Sequence, residues 1–147
     1  MIKVKSYRPL VTENLIWDFP SHFKLKEVSE FMQEDIAHTT DFISETAKET
    51  MRNQSVYWFI EDKKLQKIHA LISIKSIDFD NSSAKLFTKF DDDISDEFEH
   101  EIIERLYMFV NEQISLSELE IEENPTKVTN FFTSNGYNLA NIKLKRK

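Results

Sequence analysis

Between Val11 and Asn53 apolar residues recur at helical spacing, as in Val28, Phe31, Met32 and Ile36, then Phe42, Ile43, Ala47 and Met51. A period near 3.6 gives a helix one apolar stripe, so two or three helices are expected here. Pro20 would end the first of them near Asp18, and His38-Thr39-Thr40-Asp41 carries capping side chains for a fresh start. Past Asn53 the period falls to two. In VYWFIED (56 to 62) and KIHALISIKSID (67 to 78) the pattern is that of strands, with Ile68, Ala70, Ile72 and Ile74 on one face. His69 falls on the opposite face with Leu71, Ser73 and Lys75, where a polar surface histidine is expected. The polar DKKLQ is short enough for a hairpin, and DFDNSS (78 to 83) is a second turn into AKLFTKF (84 to 90). The result is an antiparallel meander.

Helical spacing returns from Ser95 to Gln113, with Phe98, Ile102, Leu106 and Phe109 or Val110 inward and acids outward. LSELEIEE (116 to 123) alternates again, with Leu119 and Ile121 on one face and Glu118, Glu120 and Glu122 on the other. Asn124 can cap a helix with Pro125 at its first position, running through Val128, Phe131 and Phe132 to stop at Gly136. In such an ending Gly136 takes a left-handed conformation and Tyr137 touches Phe132. A last strand is expected over YNLANIKLK. Helices, three antiparallel strands, then helix, strand, helix and strand make an α+β order.

The length of 147 residues is that of one domain, 1–147, and no repeat or linker divides it. Twelve Phe, four Tyr and two Trp can fill a core without crosslinks. The absence of Cys excludes disulfides and thiolate chemistry. MIKVKSYRPLV lacks the apolar core of a signal peptide and no apolar run is long enough to span a membrane, so a cytoplasmic protein is expected. A net charge of −7 argues against binding nucleic acid or anionic lipid, which requires a basic face. Glu97 and His100 have the E-x-x-H spacing of some metal-binding helices, and Glu101 and Glu104 are near them. The matching ligands from other helices are missing, so a solvated acidic face is expected and no metal is assigned.

NPTKVTNFFTSNGY resembles the C-terminal signature of the GNAT N-acetyltransferase superfamily: an Asn ending a strand, a short amphipathic helix, and an aromatic segment into Asn-Gly before Tyr. EIIERLYMFVNEQISLSELEIEEN fits the family's central helix and following strand in register. The resemblance implies a GNAT-like α+β fold. It consists of a central mixed, mostly antiparallel twisted sheet of about six strands flanked by helices, with a splayed parallel pair at 84–90 and 116–122. It also implies acetyl-CoA in the cleft between those two strands and direct transfer of acetyl to an amine.

The same resemblance sets Phe90, Asp96, Glu97, Phe98, Glu99 and Asn124 at cofactor-binding positions, and Asn124 and Phe132 at the family's Asn and Tyr positions. The family's phosphate loop, Q/R-x-x-G-x-G/A, aligns with Ile94-Ser95-Asp96-Glu97-Phe98-Glu99, so Glu97 and Glu99 stand where glycines expose backbone N–H groups. A carboxylate about 4 Å from a phosphate costs roughly 1 kcal/mol in water and about 4 near a protein surface. In a first helical turn these acids also satisfy the helix dipole themselves. Phe132 has no proton to give a leaving thiolate. The expectation is therefore a retained fold with a degraded acetyl-CoA site, acting as a binding or regulatory module. The alternative is a working N-acetyltransferase with an atypical cofactor site. In either case His69, Glu118 and Glu120 could border a groove, acidic in combination with the central helix, for a basic protein segment or cationic small molecule.

Overall fold

The computed structural model describes residues 9–123 and 125–147. One sheet of eight strands runs through it: β1 Leu10–Val11, β2 Leu15–Asp18, β3 Val56–Asp62, β4 Ile68–Asp78, β5 Ser83–Phe90, β6 Glu118–Ile121, β7 Tyr137–Ala140 and β8 Lys143–Arg146. The spatial order is β1-β2-β3-β4-β5-β6-β8-β7. Every neighbouring pair is antiparallel except β5 with β6. Four helices accompany it: α1 Leu25–Met32, α2 Ile36–Met51, α3 Asp96–Met108 and α4 Thr126–Ser134.

The expected helix over 11 to 18 is instead a strand hairpin. Leu15 and Trp17 are fully buried while Ile16 and Asp18 are half-exposed, a period of two that suits pairing with β3. Pro20 begins a single 3-10 turn there. The cap expected within 38 to 41 lies a turn earlier, because the Asp35 carboxylate accepts the His38 N–H at 2.7 Å and starts α2 at Ile36. The expected final strand is a hairpin, β7 and β8 joined at Asn141-Ile142 with Asn141 left-handed (φ 59°). The hairpins at both ends of the sheet raise the expected six strands to eight.

Two clusters sandwich the sheet. On the α3 and α4 side lie Trp17, Trp58, Ile72, Leu86, Ile102, Leu106, Phe132 and Tyr137. On the α1 and α2 side Val28, Phe59, Ile68 and Leu71 pack with Phe31 and Phe42. The choice between Phe109 and Val110 resolves as both, since a π-helical turn over Phe109–Gln113 inserts one residue and buries the two together.

Gly136, the only glycine in the chain, follows α4 with φ 109° and accepts the Lys147 N–H at 2.9 Å. The Phe132 and Tyr137 rings meet edge-on at 5.2 Å. Pro125 directly precedes α4 rather than forming its first residue, and Asn124 lies outside the described residues. A Cβ at Gly136 would meet only the Tyr107 hydroxyl, at 3.8 Å, so the constraint there is conformational rather than steric. Gly136→Ala is therefore expected to lower stability by about 1–3 kcal/mol in urea unfolding. A neutral result would show that the turn relaxes freely.

Candidate functional site

The parallel ladder joins Ser83 to Glu118 through Leu86 to Ile121. Beyond it the Glu122 N–H donates to the Leu86 carbonyl at 3.0 Å, after which β5 continues to Phe90 paired only with β4. The two strands thus part at the level expected for the splayed pair. The acidic loop 91 to 95 and α3 follow β5, and α4 follows β6, so the two helix N-termini flank the splay.

The N-terminus of α3 is occupied by the chain's own groups. The Ser95 hydroxyl accepts the Phe98 N–H at 3.1 Å, and Asp96, Glu97 and Glu99 fill the first turn. Lys127, from α4, reaches across with its ammonium 2.6 Å from Glu99 and 3.4 Å from Asp96. The Glu99 side chain is only 15% exposed, whereas Asp96 stands at 97%. Phe90 and Phe98 are half-buried against the core beside this turn. Phe132 is fully buried among the rings of Tyr107 and Tyr137, at 5.1 and 5.2 Å. Of the two phenols beside it, Tyr107 donates to the Asn135 carbonyl and Tyr137 to the Leu116 carbonyl at 2.6 Å. Burial pushes the Tyr137 phenol up to about 12.

His69 is not a surface residue. A bulge between β3 and β4 pairs Ile60 with Ala70 and Glu61 with Ile68, which leaves His69 as the extra residue. Its ring is 8% exposed, lies 5.2 Å from Phe98 and bonds Asp62 at 2.8 Å through Nε2. The bulge also moves Ile68 from the face of Ala70 to that of Leu71. Burial works to raise the Asp62 carboxyl. The Leu65 N–H, the His69 imidazole and the Lys67 N–H outweigh it, and the group ends below the usual carboxylate range.

Glu118 and Glu120 do not join His69, nor the acids of α3. They lie on the opposite face of the sheet, where Glu118 meets Lys145 at 3.5 Å, Glu120 meets Lys85 at 3.8 Å and Glu122 meets Lys75 at 3.0 Å. Of the α3 acids, Glu104 pairs with His100 at 3.3 Å. Glu101 turns inward to accept the Thr12 hydroxyl and the backbone and side-chain N–H groups of Asn14, at 3.0 and 2.8 Å. Burial raises the Glu101 carboxyl, but these bonds hold it below the usual range.

An acidic cleft does exist, in a place the sequence pattern did not indicate. About 490 Å³ opens between α1 and the ends of β4 and β5, with Phe31, Ile68 and Phe90 as its apolar surface. Glu27, Glu30, Asp91 and Asp92 line it against Lys67 and Lys89. Lys67 is held by Asp91 at 3.0 Å and Lys89 sits 5.5 Å over the Phe31 ring. Burial and then the Glu27 charge raise the nearby Glu61 carboxyl, as a negative local field requires. Lys127 stands inside the quoted NPTKVTNFF motif, and Asp62 and His69 face one another across a five-residue turn, so both had a signal in the sequence. Glu27 and Glu30 had none beyond an ordinary polar helix face.

No protein-family model matches the chain, and no curated protein matches its sequence. Solved structures do match its fold. An acetyltransferase from Salmonella typhimurium that modifies the N-terminal serine of a 50S ribosomal subunit protein superposes with a TM-score of 0.66 at 11% identity, over 88% of this chain and 84% of that one. The microcin self-immunity acetyltransferase MccE, in complex with acetyl-CoA and AMP, gives 0.62 at 12% identity over 92% and 89%. A spermidine N-acetyltransferase from Vibrio cholerae gives 0.52 at 16% identity over 68% and 60%. The chain has the GNAT acetyltransferase fold, as its C-terminal signature implied.

Asp62→Ala removes one partner of a buried pair and is expected to destabilise by about 3 kcal/mol or more in urea unfolding at pH 7. Because the folded carboxyl lies below its unfolded value, its contribution is complete above the unfolded pKa, about 3.9, and fades as pH falls through the folded one. The difference between wild type and variant should therefore shrink on acidification below about pH 4. A gap independent of pH would place the stabilisation elsewhere.

Proposed function

We propose that this chain uses the GNAT fold as a binding or regulatory module and does not transfer acetyl from acetyl-CoA. The observation that carries this reading is the Lys127 ammonium held between Glu99 and Asp96 at the start of α3. A pyrophosphate at that turn would meet carboxylates where it needs bare N–H groups, and the Lys127 ammonium is already neutralised. The Phe98 N–H is taken by Ser95. The residues present do not fit the cofactor's phosphates. Buried Phe132 adds a second deficit, since it can protonate nothing.

The partner this fold suits best is cationic. One structural relative modifies a protein N-terminus and another is a spermidine N-acetyltransferase. Here the cleft beside α1 supplies the matching chemistry, because Glu27, Glu30 and Asp92 face a partly apolar surface. The groove expected at Glu118 and Glu120 is neutralised by lysines, so the cleft is the better candidate for a basic protein segment or a small polyamine.

One feature favours the second reading, a working N-acetyltransferase with an atypical cofactor site: among the described residues no strand pairs with β5 on its β6 side past Leu86, as a thioester-binding cleft requires. Thermal unfolding with millimolar acetyl-CoA separates the two. A ligand at 100 times its dissociation constant stabilises by about 2.7 kcal/mol, roughly 5 °C or more for a domain of this size. The module reading expects no shift, and a shift of that size would overturn it in favour of the transferase reading. For the cleft, the double variant Glu27→Gln, Glu30→Gln is expected to weaken spermine binding about 3-fold or more in an NMR titration. Unchanged affinity would remove the cleft from the account.

A further inference from the structure

The sheet ends on β7, and among the described residues no strand pairs with its outer side. The bond from the Lys147 N–H to the Gly136 carbonyl sets the phase of the ladder, in which bonded pairs alternate along an antiparallel strand. Asn138 and Ala140 therefore bond β8, while Tyr137 is fully buried and the N–H and C=O groups of exposed Leu139 point away from β8. The other side of β8 agrees with this phase, since the Ile142 carbonyl accepts from Ile121 and the Arg146 N–H donates to Ser117, both at 2.7 Å.

Natural edge strands carry charges, prolines or bulges that block further pairing. From Gly136 to Ile142 there is no charged residue and no proline. The β7–β8 register is unbroken, and Leu139 and Ile142 are 45% and 49% exposed. The side chains beside this open edge have a definite character. Lys145 stands opposite Asn138 and Lys143 opposite Ala140, on the face that carries Glu118 and Glu120. Lys145 is paired with Glu118, but Glu120, the neighbour of Lys143, is turned to Lys85. Among the described residues Lys143 has no ion pair, and only the methyl of Ala140 separates it from the space beyond β7.

We propose that β7 accepts a ninth strand from a partner protein, an extended segment that alternates acidic and apolar residues. Its acids would meet Lys143 across Ala140, and its apolar residues would cover Leu139 on the other face. The protein already contains this match on the far side of β8, where Glu118-Leu119-Glu120-Ile121 lies against the same lysine-bearing strand. A second copy fits less well, because β7 paired with itself brings lysines rather than acids toward Lys143, between two chains of net charge −7. This edge is separate from both the α3 turn and the α1 cleft, so its fate is independent of the cofactor reading.

The probe is a blocked, labelled peptide of residues 117–122, Ser-Glu-Leu-Glu-Ile-Glu, with a counterpart in which Lys replaces each Glu, followed by fluorescence anisotropy on the intact protein. The acidic peptide should bind saturably and the lysine peptide should not. Lys143→Glu should weaken binding about 5-fold or more, and Leu139→Pro, which deletes an N–H that the β7–β8 phase leaves without a bond among the described residues, should abolish it. Should the proline variant not fold, hydrogen exchange on the wild type decides, because the Leu139 amide must slow when the peptide is added. No binding at millimolar peptide, equal binding of both peptides, indifference to Lys143→Glu, or unchanged exchange at the Leu139 amide would overturn the proposal. So would concentration-dependent dimerisation in sedimentation that Leu139→Pro removes, since the edge would then belong to a second copy.

Discussion

Four paired residues, Ser83 to Leu86 against Glu118 to Ile121, form the only parallel ladder in the sheet. The rest of the architecture depends on where it stops. Parallel neighbours require a crossover, and α3 with its π turn supplies it, covering Trp58 and Leu86 on the way. Because pairing ends at Leu86 and Ile121, the two strands deliver their following helices to either side of a gap. The N-termini of α3 and α4 then lie close enough for Lys127 to reach Glu99. Side chains of both signs thereby meet at the first turn of α3.

Scarcity of glycine gives the same outcome elsewhere. Among the described residues eight other than glycine are left-handed, including Gln33 and Gln66, which line the cleft beside α1, and Asn141 in the final turn. The chain therefore makes its turns with side chains that carry amides, hydroxyls and bulk. Turns of this kind hold their shape but cannot lay bare backbone against a phosphate.

Much of the fold was legible because alternation is unambiguous in β3, β4 and β5, and because α3 and α4 have clear apolar stripes. The segment 11 to 18 was misread since its strands are two and four residues long, too short for a period of two to outweigh the helical pattern that follows. His69 was misplaced for a different reason. A bulge adds one residue to a strand and reverses the faces of its neighbours, and Ile68 and His69 carry no local sign of it. The acids of β6 were read correctly as one face, but their lysine partners come from β4, β5 and β8, tens of residues away. The α3 turn was the most legible part of the site, because caps and first-turn acids are local chemistry. Which cation would neutralise them depended on how α4 docks.

Whether the first turn of α3 accepts a phosphate anion is read directly from backbone amide shifts. In a 15N-labelled sample titrated with coenzyme A to millimolar concentration, the Asp96, Glu97, Phe98 and Glu99 amides should stay where they are. Saturable movement of the Phe98 and Glu99 amides would show that the anion displaces Ser95 and Lys127, and would contradict the account.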